Sequence, residues 1–143
     1  MRTQQKTPKA AARKPAIALS IADFERLHML VRAASKRMPA IAEELANEIE
    51  RARIFEKNKR PDSYVAMNSK VEFRDDTNGR TQQVTLVYPE QADTSAGKIS
   101  ILTPVGTALI GMPAGGTITW QSPHGGSRKL TVLSVQASDG EAE

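Results

Sequence analysis

Between residues 55 and 70 the hydrophobic period of this chain changes. On the N-terminal side apolar residues recur every three or four positions, at Phe24, Leu27, Val31 and Ala34 and then at Ile41, Leu45, Ile49 and Ala52. On the C-terminal side they alternate: Val71 and Phe73 with Lys70, Glu72 and Arg74, then Val84, Leu86 and Tyr88 around Thr85. The first spacing is one stripe of an α-helix and the second one face of a β-strand, so the chain must bury both kinds of surface. The charged segment EKNKRPDS, with Pro61, separates them and reads as a short linker.

The helical half has readable ends. Ser20 can cap a helix, Asp23 can reach back in a capping box, and Leu19 can staple against Phe24. Residues Ser35 to Ala40 interrupt the stripe, because Pro39 disfavours helical geometry at Met38 and suits the first turn of a new helix. Two stripes across a short break predict an antiparallel helical hairpin, a short coiled coil, with Glu43, Glu44, Glu48 and Glu50 outward. The stripes can pair within one molecule or across two; a monomer is the expectation.

In the other half Asn78-Gly79 favours a tight turn between the first two strands. Ile99 and Ile101 supply a third strand, Ile118 and Trp120 a fourth, and Leu130, Val132 and Val135 a fifth, with HGGS at 124–127 as the last turn. One very short helix interrupts them. Thr103 can cap it, Pro104 fits its first position, Ala108 to Ile110 can face the sheet and Gly111 can end it in left-handed geometry. The expected fold is α+β: a basic tail over 1–16, a helical hairpin over 17–57, and an antiparallel sheet domain with one short helix over 64–137.

Charge narrows the partners. The net charge of +4 comes from the tail, whose Arg2, Lys6, Lys9, Arg13 and Lys14 face no acid; the rest holds 15 basic against 16 acidic residues. A tail this polar cannot bury enough apolar area to offset chain entropy, so it is expected to be disordered, with Lys6, Lys9, Arg13 and Lys14 available for a weak, salt-sensitive nucleic-acid contact. The chain has no cysteine, which removes thiolate chemistry and fits a reducing cytoplasm. No apolar run approaches the roughly 20 residues that span a bilayer, so no membrane association is expected.

The run KISILTPVGTALIGMPAGGTITWQSPHGGSRKLTVLSV, with MNSKVEFRD and LVYPEQAD upstream, resembles the C-terminal domain of the Gre transcript-cleavage factors. The order of MNSKVEF, LVYP and PVGTALIG, and the brevity of the helical arms, bring it closer to the short-armed Rnk branch, regulators of nucleoside diphosphate kinase. The resemblance implies an FKBP-like C-terminal domain that docks on bacterial RNA polymerase at the rim of the secondary channel, with Leu102, Thr103, Pro104 and Val105 in the contact surface. The same four residues are also what a capped helix start needs, and the two roles are compatible. In Gre factors acidic residues at the hairpin tip help to hold a catalytic magnesium ion. The tip here carries Lys36, Arg37, Met38 and Pro39, and two cations repel a metal that needs oxygen ligands. Glu43 and Glu44 lie about one turn back. An acidic residue that commonly follows the family's equivalent of Gly116 is missing.

Other features point away from catalysis. His28 and His124 have no ligand-spaced partner, so neither a metal site nor a Ser-His-Asp arrangement is expected, and no cofactor. GMPAGG lacks the Lys-Ser or Lys-Thr of a phosphate loop. Trp120 is expected in the core. The function expected is a non-enzymatic regulator of transcription elongation that binds polymerase and affects nucleoside diphosphate kinase levels. The alternatives are a prolyl isomerase, which the poverty in aromatics opposes, and nucleic-acid binding through the tail.

Overall fold

The computed structural model describes residues 16–56, 64–121 and 126–136. The expected tail with its Lys6, Lys9, Arg13 and Lys14, the linker over 57–63, His124 and the side chain of Trp120 lie outside the described residues. No described helix is long and apolar enough to cross a membrane.

The described chain begins with β1 (Ala18–Ser20), α1 (Ile21–Ala34), α2 (Pro39–Glu50) and β2 (Arg53–Phe55). Ser20 caps α1 as its sequence position suggests, its hydroxyl accepting the Asp23 N–H at 3.1 Å. Pro39 opens α2, whose N-cap Met38 offers no side-chain acceptor. The helices pack on one another across the short 35–38 connection, and Leu27 and Leu45 are fully buried. β1 and β2 form a parallel pair with Leu19 opposite Ile54, a feature absent from the sequence reading because three-residue strands leave almost no periodic signal.

Glu48 departs from expectation. Its charge predicts an outward side chain like those of the other acids, yet it is 3 % exposed. It lies three residues after Leu45 and beside Ile49, so it shares their inward face. Arg51 neutralises it at 3.0 Å from one turn on. Glu43, Glu44 and Glu50 are exposed.

The second half builds a five-stranded sheet from β3 (Lys70–Asp75), β4 (Arg80–Val87), β5 (Lys98–Ser100), β6 (Thr117–Gln121) and β7 (Ser127–Gln136), in the order β5-β4-β3-β7-β6. The pairs β3–β4, β3–β7 and β6–β7 are antiparallel. β5 runs parallel to β4, so the sheet is mixed rather than antiparallel throughout. The cause is the connection: two short 3-10 turns, Pro89–Gln91 and Thr94–Ala96, carry the chain back before β5 starts. β5 also ends at Ser100, and Ile101 leaves the strand fully buried. The β3–β4 turn is a four-residue loop, not a two-residue Asn-Gly turn; Asp75 C=O accepts from Gly79 N–H at 2.7 Å with Gly79 at φ +79°.

Alternation on the strands directs Val71, Phe73, Val84, Leu86, Ile118, Leu130 and Val132 into the core. There they join Ile17, Leu19, Leu27, Leu45 and Ile49, so helices and sheet share one hydrophobic cluster. Each such side chain fully buried contributes roughly 1.5–3 kcal/mol. The seam has polar fasteners as well: Ala18 N–H donates to Gly111 C=O at 3.1 Å, and Met67 N–H donates to the Asp23 carboxylate at 3.1 Å.

Candidate functional site

The short helix α3 (Pro104–Leu109) follows β5 through a loop whose polar groups are consumed locally. The Ser100 hydroxyl accepts Leu102 N–H at 2.9 Å. The Thr103 hydroxyl donates to Ser100 C=O at 2.8 Å and accepts Gly106 N–H at 3.0 Å, the cap expected of it. Thr107 donates to the buried Ile101 C=O at 3.0 Å. Gly106 is required by space: a Cβ there would lie 2.4 Å from Ser100 O. Ala108, Leu109 and Ile110 are buried, and Gly111 ends the helix at φ +76°. With its hydrogen bonds turned inward, this loop presents Pro104 exposed and Leu102, Thr103 and Val105 half-buried at one surface. The four residues expected to act together are therefore adjacent on a locally rigid segment.

Beside the loop lies a half-open cavity of about 520 Å³, walled by Phe73, Val84, Ile99 and Leu130 from the sheet and by Pro104 and Val105 from α3. Asp75 and Arg128 meet at its lining in an ion pair between β3 and β7. Burial by itself would raise the Asp75 carboxyl. The Arg128 hydrogen bond and the Thr77 N–H at 2.9 Å outweigh that and hold it below the ordinary carboxylate value. Neither residue carries a signal in the sequence, because partners 53 positions apart leave no local pattern. Alternation did signal that Phe73, Val84 and Leu130 share one face.

A second polar cluster joins α1 to the sheet half. The Arg26 guanidinium sits 3.9 Å over the Tyr88 ring and pairs with Glu90 at 3.4 Å. The Tyr88 hydroxyl is buried near Asp23; burial first, then the Asp23 charge, push it well above the ordinary phenol value, against a smaller opposing pull from Arg26.

The expected tip residues Lys36, Arg37, Met38 and Pro39 are all exposed, in and just after the α1–α2 connection. Ser35 hydroxyl donates to Arg32 C=O at 3.1 Å and Met38 N–H to Ala34 C=O at 2.8 Å, which fixes the bend. Among the described residues no group of three or more His, Asp or Glu is arranged to hold a metal ion.

The described chain thus joins a pair of short helices to a mixed five-stranded sheet that carries an inward-bonded loop. Residues 60–137 match the family model "Transcription elongation factor, GreA/GreB, C-term", and the chain belongs to that family. Residues 15–54 match the model "Rnk N-terminus", which places the chain in the Rnk branch. The regulator of nucleoside diphosphate kinase from Escherichia coli K12 is 34 % identical over 123 residues, covering 86 % of this chain and 90 % of that protein. Transcription elongation factor GreA from Thermodesulfovibrio yellowstonii is 37 % identical over 81 residues, 57 % of this chain and 51 % of that protein, so the likeness to GreA spans about half of each. Among solved structures, a GreA/GreB transcription elongation factor from Nitrosomonas europaea superposes with a TM-score of 0.68 at 39 % identity, covering 86 % of this chain and 99 % of the other.

Proposed function

We propose that this chain is a non-enzymatic regulator of transcription that binds bacterial RNA polymerase near its secondary channel and modulates elongation, with changed nucleoside diphosphate kinase levels as a downstream effect. The observation that carries the reading is the β5–α3 loop. Its hydrogen bonds are spent internally, so Leu102, Thr103, Pro104 and Val105 form a preorganised, mainly apolar contact surface that loses little entropy on docking. Membership in a family of transcription elongation factors supports this class of partner. In this reading residues 64–137 form an FKBP-like anchoring domain, while α1 and α2 form a short antiparallel hairpin directed into the channel. Its tip presents Lys36 and Arg37 without a carboxylate, so it occupies space and supplies positive charge but recruits no metal.

Pro104→Arg tests the docking surface. The residue is exposed at the first helical position and the Thr103 cap remains, so the fold is retained. Co-purification with polymerase core at moderate salt is expected to fall at least about tenfold, as when a charge is buried without a partner in an interface. Capture equal to wild type, from a variant with unchanged circular dichroism, overturns the assignment. Prolyl isomerisation is the weaker reading: Phe73 is the one aromatic among the described residues that line the cavity.

A further inference from the structure

Asn78 and Gly79 close the β3–β4 loop, and both are exposed. The Asn78 side-chain carbonyl accepts the Arg80 N–H at 2.9 Å. That bond closes a ring containing both the Asn78 Cγ and the Gly79 nitrogen, so an amide carbon is held beside a backbone nitrogen. The donor also polarises the carbonyl, which makes its carbon a better electrophile. Gly79 leaves the approach open: nothing lies within 4 Å of where its Cβ would stand. One contact opposes attack. The Gly79 N–H, which must lose its proton before the nitrogen can react, donates to Asp75 C=O at 2.7 Å.

The other asparagines among the described residues lack this opening. Asn47 lies inside α2 and precedes the buried Glu48. Asn68 precedes Ser69, which is 1 % exposed and whose N–H is tied to Ala66 C=O at 3.1 Å. In both, the following residue carries a Cβ that crowds its own nitrogen.

We propose that Asn78 is a site of spontaneous deamidation whose rate is set by the Gly79–Asp75 hydrogen bond. The Gly79 nitrogen attacks Asn78 Cγ; a new C–N bond forms, the Cγ–Nδ2 bond breaks, and the side-chain nitrogen leaves as ammonia. Water then opens the resulting succinimide at either carbonyl, giving aspartate or isoaspartate. Water is the only co-reactant. Only molecules in which the Gly79 N–H has been released can react, so the folded turn acts as a brake. Either product adds a carboxylate next to Asp75 and Asp76, and isoaspartate also lengthens the main chain by one carbon inside the loop that Asp75 C=O closes. The reaction does not depend on polymerase binding.

The full chain is incubated in neutral buffer, with and without urea, then digested, and the conversion of amide to acid is followed by mass spectrometry. Asn78 is expected to convert before Asn47 and Asn68, and about two- to tenfold more slowly in the native than in the unfolded chain, as the net worth of one backbone hydrogen bond allows. Hydrogen exchange at the Gly79 amide of a fresh sample should be slowed by the same factor, since both processes need that N–H released. A native Asn78 still intact when the unfolded chain has fully converted overturns the site. Equal native and unfolded rates, or an unprotected Gly79 amide, overturn the brake. In urea, where the fold plays no part, Gly79→Ala should slow conversion because its Cβ shields the nitrogen; a rate equal to wild type overturns attack by that nitrogen.

Discussion

Gly111 is where three separate stretches of chain meet, and replacing it tests whether that meeting holds the helices to the sheet. Its N–H donates to Val65 C=O at 2.8 Å and its carbonyl accepts from Ala18 at 3.1 Å. Its φ of +76° costs an ordinary L-residue roughly 1–2 kcal/mol. An added Cβ would also sit 2.8 Å from Ile17 Cβ and 3.2 Å from Ala18 O, and both neighbours belong to a fully packed segment. Overpacking of that kind costs about 1–3 kcal/mol more, so Gly111→Ala should lose about 2–5 kcal/mol in total. Gly79→Ala is the control: its φ is +79°, but nothing lies within 4 Å of the added atom, so only the backbone penalty applies. The two variants, measured by urea unfolding at pH 7, should differ by about 1–3 kcal/mol with similar m-values. If Gly111→Ala falls within about 0.5 kcal/mol of Gly79→Ala, the segment at Ile17 yields freely and the shared core does not lock the two halves together.

Asp23→Ala should cost about 1–3 kcal/mol in thermal or chemical unfolding, because it strands the N–H of the buried Met67; Asp23→Asn, which keeps an acceptor, should cost less, and equal losses would show that the hydrogen bond is not the source. Asp75, Asp76, which accepts from the Thr131 hydroxyl and from Arg74, and Asp93, which accepts from the Ser95 hydroxyl, are all held below their ordinary carboxylate values by those hydrogen bonds. Their contribution is therefore complete above about pH 4 and lost as pH falls through the lowered folded values, so unfolding midpoints should drop on acidification below about pH 4 and less steeply in Asp75→Asn. The raised Tyr88 hydroxyl works in the opposite direction: its contribution is present below about pH 10 and is lost as pH rises further, and Tyr88→Phe should remove that part of the alkaline decline. A Tyr88→Phe chain with an unchanged alkaline profile would place the loss elsewhere.

Much of this protein is legible one element at a time. The Ser20 cap, the Pro39 restart, the Thr103–Pro104 helix start and the Gly111 stop each depend on residues within three or four positions of one another, so the sequence contains both partners. The strands that alternate over six or more residues, β3, β4 and β7, announce which side chains go inward for the same reason. The adjacency of Leu102 to Val105 in the candidate site follows from chain continuity alone.

What the sequence alone determined, then, is the local grammar: where helices start, where they stop, and which face of each element is apolar. Only the tertiary structure decided the parallel pairings of β1 with β2 and of β4 with β5, the inward turn of Glu48 onto Arg51, the Asp23–Met67 link, and the Asp75–Arg128 ion pair in the cavity lining. These contacts join residues from different elements, or set a side chain against a neighbour that its own helix cannot specify. Their geometry exists only after the chain has closed its loops around one core, when the free energy of burial rather than local preference selects the partner.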